Sequence, residues 1–179
     1  MQRISSSVRE QARRIKLLLL DLDGVLTDGG IVMDHRGEEI KRFDVRDGHG
    51  IRLLQRAGIQ VGIISGRTSR AAEHRAKDLG IELLYQGADD KVAAYEKIKR
   101  MTGLKDREIA YVGDDLVDLP VLRRVGLSIA VNDCWKDLKR LTDYVTRASG
   151  GRGAVREVAE LLLKTQQKWR RVTQRYYLS

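Results

Sequence analysis

Two aspartates two residues apart, Asp21 and Asp23, close the apolar run Leu17-Leu18-Leu19-Leu20, and Gly24 follows them. Residues i and i+2 of a strand face the same way, so both carboxylates project together from one strand end. Neighbouring carboxylates repel, and a site that keeps both binds a cation or holds a proton between them. Taken alone, the segment reads equally well as an acidic turn. A second apolar run, Tyr111-Val112-Gly113, leads into Asp114-Asp115-Leu116-Val117-Asp118. If these three carboxylates converge, a metal-free arrangement is hard to stabilise. Oxygen-only donors select a hard cation, and a few carboxylates with several waters suit Mg²⁺ better than zinc or an all-protein calcium cage.

Two further segments have donors where an anion could sit. Ser65-Gly66-Arg67 follows Ile63-Ile64. A hydroxyl and the next backbone N–H can both donate to a phosphate oxygen, with a helix N-terminus behind them, although a helix cap looks the same. Lys91 opens a helical pattern after Asp89-Asp90. A cation there opposes the helix dipole, so Lys91 either answers a nearby anion or is simply solvated.

The elements that must position these residues alternate. Strand-length apolar runs are Lys16–Leu20, Gln60–Ile64, Glu82–Tyr85, Glu108–Val112, Leu127–Ala130 and Tyr144–Val145. Helical periods fill Gly50–Ala57, Ser69–Leu79, Lys91–Met101, Leu119–Arg124 and Val155 to about Lys168. Alternation of this kind predicts an α/β fold with a Rossmann-like parallel sheet and helices on both faces. Such sheets bind ligands at the carboxyl ends of their strands, where all four segments lie. One stretch breaks the pattern: Gly30–Met33 and Glu38–Phe43 read as a protruding antiparallel hairpin around Asp34-His35-Arg36-Gly37. The only proline, Pro120, suits the first turn of a helix.

Taken in this order, Asp-x-Asp-Gly, Ser-Gly, Lys and Gly-Asp-Asp-x-x-x-Asp, the segments resemble the haloacid-dehalogenase superfamily. That resemblance implies Asp21 as nucleophile and Asp23 as general acid and base, with Ser65 and Lys91 clamping phosphate. It further implies magnesium held by Asp21, the Asp23 carbonyl and Asp114, with Asp115 and Asp118 in supporting roles. The spacing leaves no room for a cap domain, since only the hairpin and a short helix separate Asp23 from Ser65. A capless site needs closure from elsewhere, and the hairpin is a docking element for a neighbouring subunit.

Phe43–Ile51, Leu84-Tyr85-Gln86-Gly87 and Gly150–Glu157 narrow the likeness to the 3-deoxy-D-manno-octulosonate 8-phosphate phosphatase family, over roughly residues 15 to 163. That family is a capless homotetramer whose hairpins meet and whose Gly-Gly-x-Gly tail can close a neighbour's site. The resemblance carries substrate contacts onto Asp23, Asp44, Val45, Arg46, Asp47, Gly48, Arg52, Arg67, Arg75 and Lys91. A small acidic sugar phosphate bears two anionic groups, so arginines are apt, with Arg46 and Arg67 in strand-end loops the stronger candidates. Arg52 and Arg75 lie in helical segments where solvated arginines are routine. His49 falls in a loop beside the site, His35 and His74 read as surface residues, and none is given a catalytic role. Phosphatases for nine-carbon sugar acid 9-phosphates share these motifs, and a non-catalytic assembly module is the alternative of another class.

Composition bounds the rest. With 179 residues, 42% hydrophobic and 33% charged, a single domain spanning residues 1–179 is expected. No apolar run approaches membrane-spanning length, and the polar, basic N-terminus does not read as a secretory signal, so a cytoplasmic protein is expected. Cys134 is the only cysteine and reads as a bland thiol. The net charge of +9 lies at the ends. Residues 1–16 carry five basic residues against Glu10, and residues 161–179 carry Lys164, Lys168, Arg170, Arg171 and Arg175 against no acid. The extensions 1–15 and 165–179 are therefore expected as solvated basic tails, with no nucleic-acid partner.

Overall fold

Leu17–Leu20 is buried along its whole length because it runs through the middle of a sheet, with a strand on either side and helices on both faces. The computed structural model describes residues 4–177. In chain order, the first half holds α1 (Ser6–Arg14), β1 (Leu17–Leu20), β2 (Val32–Met33), β3 (Glu39–Ile40), α2 (Val45–Arg56), β4 (Gln60–Ile64), α3 (Arg70–Leu79) and β5 (Leu83–Tyr85). The second half holds α4 (Lys91–Thr102), β6 (Ile109–Gly113), α5 (Leu119–Leu122), β7 (Leu127–Ala130), α6 (Leu138–Leu141), β8 (Tyr144–Val145), α7 (Ala154–Thr165) and α8 (Trp169–Thr173).

Six strands form one parallel sheet in the order β5-β4-β1-β6-β7-β8. The chain steps from β1 to β4 and β5 on one side, then returns to β6, β7 and β8 on the other. Right-handed crossovers then put α2 and α3 on one face and α4 and α5 on the other. Contacts agree, since α7 packs on α1 and α2 while α4 packs on α5. The order reverses at β1, and the crevice beyond the ends of β4, β1 and β6 is the topological switch point of the sheet.

Every expected strand of the six-stranded sheet is present within a residue of its expected limits, while the two hairpin strands are shorter than expected, at Val32–Met33 and Glu39–Ile40. The helices differ more. α2 begins at Val45 instead of Gly50, because the Asp44 side chain accepts from the N–H groups of Arg46 and Asp47 and caps it there. This places Arg46 and His49 on a helix and corrects their reading as loop residues. The last expected helix ends early: Gln167 has φ 57°, a left-handed conformation that stops α7 before α8 starts.

The reading of the basic ends as solvated tails is also corrected. Val8 and Ala12 bury one edge of α1, and α8 buries Val172 and Thr173. Gln166 ties the two ends together by donating from Nε2 to the carbonyls of Ala12 (2.9 Å) and Ile15 (2.8 Å). Arginines and lysines ride the outer faces of these helices, where their charge is solvated and their stems cover apolar surface. Among the described residues, no helix is long and apolar enough to cross a membrane.

The hairpin β2–β3 stands apart from the sheet, its turn closed by Gly37 N–H donating to Asp34 O at 3.0 Å. Ile31, Val32, Met33 and Ile40 are each more than half exposed on it, and Val45 at its base is 80% exposed.

Candidate active site

Asp21 follows β1 directly, and its N–H still donates to Val112 O on β6, so the register of the sheet fixes where its carboxylate leaves the backbone. Ser65 follows β4 in the same way, donating its N–H to Tyr85 O at 2.8 Å. Asp114 follows β6. These three strand ends, with Lys91 from the first turn of α4, border a cavity of about 350 Å³ that Asp23 and Arg67 also line. A larger hollow of about 600 Å³ beside Trp169 and Tyr177 contains no carboxylate and lies on the C-terminal helix, away from the strand ends.

The acidic groups do converge. Asp21, Asp114 and Asp118 each bring an oxygen within 4.8 Å of the others. Lys91 Nζ stands 2.7 Å from Asp21 Oδ1 and 2.7 Å from Asp118 Oδ1. It is the anion-answering lysine of the two readings the sequence left open. Burial raises the Asp21 carboxyl to about 6, with the Asp118 carboxylate adding to the effect and Lys91 opposing it. Asp114 is pushed up to about 8 by burial first, then by Asp21 and Asp118. Burial pulls the Lys91 ammonium down, but Asp21 and Asp118 overcome it and hold the group above its ordinary value.

Asp118 has a different character from its two neighbours. Its Oδ1 accepts from Lys91 and from Tyr111 Oη at 2.6 Å, and its Oδ2 accepts from the N–H groups of Asp114 (2.9 Å) and Asp115 (3.2 Å). Those bonds occupy the usual lone-pair directions of a carboxylate, so Asp118 braces the loop that presents Asp114. Asp21 and Asp114 are left as the pair with oxygens free for a ligand. One lysine against three carboxylates leaves an excess of buried negative charge, and an all-oxygen donor set suits a hard divalent cation. Gly24 keeps the space open: with φ 90° it takes a turn that side chains disfavour, and a Cβ there would collide with the Asp114 carboxylate.

Asp23 is placed otherwise. One oxygen, Oδ1, is paired with Lys41 of the hairpin, while Oδ2 is buried with no hydrogen-bond partner. Arg67 reaches over the same region, donating from Nη2 to Glu39 Oε1 at 2.9 Å, with its Nε 3.7 Å from Asp23 Oδ2. Ser65 Oγ accepts from the N–H of Arg67 at 3.2 Å and donates to Arg67 O at 3.0 Å, shaping the turn that follows β4.

Other positions expected to touch substrate do not border this cavity within one chain. Asp44 caps α2 and pairs with the exposed Arg46 at 3.0 Å, and Val45 is exposed beside them. Asp47 is buried and clamps the start of α7, accepting from Gly153 N (3.1 Å) and Arg156 N (2.7 Å). Gly48 lies against Arg75, which reaches Asp78 Oδ2 at 2.8 Å and stacks over Phe43. Arg52 donates to Asp78 O. His49 faces the C-terminal segment, with Nε2 3.0 Å from Tyr176 Oη. The glycine-rich segment packs on its own chain, Gly151 N–H donating to Val25 O at 2.9 Å, before leading into α7.

Sequence reasoning missed Glu39, Lys41 and Tyr111. The first two flank Ile40 at the end of β3, but charges on a short hairpin ordinarily face water, so the alternation does not announce an inward Lys41. Tyr111 had no signal, since a tyrosine in a central strand reads as core.

A model of the haloacid dehalogenase-like hydrolases matches residues 47–126. A 3-deoxy-D-manno-octulosonate 8-phosphate phosphatase of Escherichia coli is 50% identical over 165 residues, covering 92% of this chain and 88% of its own. The crystal structure of the phosphatase of that name from Yersinia pestis is 49% identical, with a TM-score of 0.90 over 91% of this chain and 88% of the other. The Moraxella catarrhalis phosphatase of the same name, solved with magnesium, phosphate and 3-deoxy-D-manno-octulosonate (KDO), is 40% identical, with a TM-score of 0.92 over 94% and 97%.

Proposed function

The chain belongs to the 3-deoxy-D-manno-octulosonate 8-phosphate phosphatases, within the haloacid dehalogenase-like hydrolases, and on that footing we propose which of its residues carry the reaction. It is a magnesium-dependent phosphoric monoester hydrolase that releases phosphate from the eight-carbon sugar acid phosphate. The observation behind the residue roles is that Asp21, tied to Lys91, and Asp23, whose buried Oδ2 makes no hydrogen bond, leave the same strand end.

In this reading Asp21 attacks phosphorus, the bond from phosphorus to the sugar oxygen breaks, and Asp23 gives that oxygen its proton. Water then attacks the aspartyl phosphate, Asp23 takes its proton, and the bond to Asp21 breaks. Lys91 holds Asp21 in place and offsets negative charge gathered around the phosphoryl group. Ser65 and the first N–H groups after β4 receive phosphoryl oxygens. Asp21 and Asp114, with the Asp23 carbonyl, would hold magnesium, while Asp118 keeps Asp114 aimed. When bound, the ion neutralises charge that otherwise sets Asp21 and the phosphate against each other.

The sugar acid's carboxylate is met by arginine, with Arg67 nearest the cavity. Asp44 to Gly48, Arg52 and Arg75 contribute at the hairpin base in an assembled enzyme. The assembly is a homotetramer, a reading supported by the uncovered apolar face of the hairpin, and its place is the cytoplasm.

Phosphate release with Mg²⁺ should be measured across eight- and nine-carbon sugar acid phosphates, mononucleotides and a phosphorylated oligonucleotide. The highest kcat/KM is expected for the eight-carbon sugar acid. A preference for the nine-carbon compound would move the substrate, and no release from any sugar acid phosphate would overturn the reading.

A further inference from the structure

The roles above leave Lys41 without a task, although it is the most deeply buried cation that touches the cavity residues. Its side chain is 2% exposed. A buried ammonium is strongly unfavourable unless paired, and here it pairs with Asp23 Oδ1 and with Glu39 Oε1 at 3.0 Å. Glu39 is itself held by Arg67, and its carboxyl stays below the usual range because Lys41 and Arg67 outweigh its burial. The four groups form a closed chain of charges reaching from the hairpin to the strand end.

Its effect on Asp23 is asymmetric. Oδ1 is held by Lys41, whereas Oδ2 is buried without a hydrogen bond and has only Arg67 Nε, 3.7 Å away, as a charge partner. An unsatisfied buried carboxylate oxygen is costly and needs an explanation. A purely structural strut would need only the Lys41–Glu39 pair, and it gives no reason to leave Oδ2 without a hydrogen bond. We propose that Lys41 is a positioning residue for proton transfer: by anchoring Oδ1 it fixes the Asp23 rotamer so that Oδ2 is the oxygen presented to the leaving group. This rests on Asp23 being the acid–base group, and it makes the hairpin part of the reaction as well as a docking element.

The test uses leaving groups that differ in their need for a proton. An alkyl phosphate such as the sugar acid phosphate requires one as the bond breaks, while p-nitrophenyl phosphate expels a phenolate that does not. kcat/KM reports the steps up to alcohol release, so each variant's loss is compared between the two substrates. Lys41→Met is expected to lose at least about tenfold more on the sugar acid phosphate than on p-nitrophenyl phosphate, within the range typical of general acid catalysis. KM for the sugar acid should stay within about threefold of the parent, and Lys41→Arg should recover most of the difference.

Lys41→Gln carries the same comparison should Lys41→Met not fold, which melting curves and sedimentation reveal. Equal losses on both substrates, or none, would overturn the proposal. Asp23→Asn separates the two levels of the argument. If Asp23→Asn discriminates between the substrates and the Lys41 variants do not, only Lys41 loses its role. If Asp23→Asn does not discriminate either, the acid–base assignment falls and Lys41 falls with it.

Discussion

The Lys91 ammonium stands 2.7 Å from Asp21 in a pocket where neither side chain is more than 8% exposed. Asp118 shares that lysine at the same distance, so one cation serves two carboxylates while Asp114 has none. A site built this way is short of positive charge by design, and its behaviour in and out of metal follows from that shortage.

Replacing Asp21 with Asn is expected to lower turnover by at least about 10³-fold, because the amide keeps the shape but is no competent nucleophile. In chelator the same variant should melt no lower than the parent, since it removes a carboxylate that burial disfavours. Steady-state phosphate release and a thermal melt check both. Near-native turnover would take the nucleophile's role from Asp21.

Stability in chelator should fall as pH rises. Asp21 and Asp114 have folded-state values raised from 3.8 to about 6 and about 8. A raised carboxyl contributes stability that is full below its unfolded value and is lost as pH climbs through the folded one. The loss should therefore develop between about pH 4 and pH 8 and amount to a few kcal/mol. Magnesium should abolish it, binding more tightly as pH rises and displacing protons as it binds. Melts at several pH values, with Mg²⁺ and with chelator, read this directly, and a pH-independent melt in chelator would contradict it.

Ile31→Asp with Met33→Asp should give smaller species in sedimentation, because both side chains are more than half exposed on a hairpin with no cover of its own. Substrate affinity should weaken in the smaller species, while the carboxylates at the strand ends keep binding magnesium. A wild-type enzyme that sediments as a fully active monomer at assay concentrations would refute this account of closure.

Removing residues 165–179 should now be expected to destabilise the fold. It deletes the buried Val172 and Thr173 and the Gln166 bonds that hold the end of α1. A fall in Tm of several degrees is expected, with kcat within about threefold of the parent, since none of these residues lines the strand-end cavity. An unchanged Tm would mean that the segment merely rests on the surface.

The sheet was legible because central parallel strands bury both faces and so read as unbroken apolar runs, as Leu17–Leu20 does. Asp21, Ser65, Lys91 and Asp114 were legible because each sits where such a run or a helix begins or ends. α1 was not: only Val8 and Ala12 are buried on it, an i, i+4 pair too sparse to stand out among arginines. α8 was read as part of a basic tail, because Val172 and Thr173 are too few to show among its arginines, and α7 was drawn about three residues too long, since nothing in Gln167 announces a left-handed residue. Asp47 reads as a loop ligand until the fold brings Gly153 and Arg156 to it from more than 100 positions away. Lys41 was hidden because charges on a short strand ordinarily face water, and only tertiary contact turns one inward.

The hairpin presents apolar residues outward and hands Lys41 inward, so in the proposed oligomer the order of the reaction in enzyme would exceed one. If subunits part on dilution, the arm that holds Asp23 loses its outer support at the same moment. Rate would then climb more steeply than the first power of protein concentration, and a stock diluted far below working strength would lose specific activity over minutes and regain it on concentration. Constants measured on such an enzyme would then depend on the amount of protein in the cuvette.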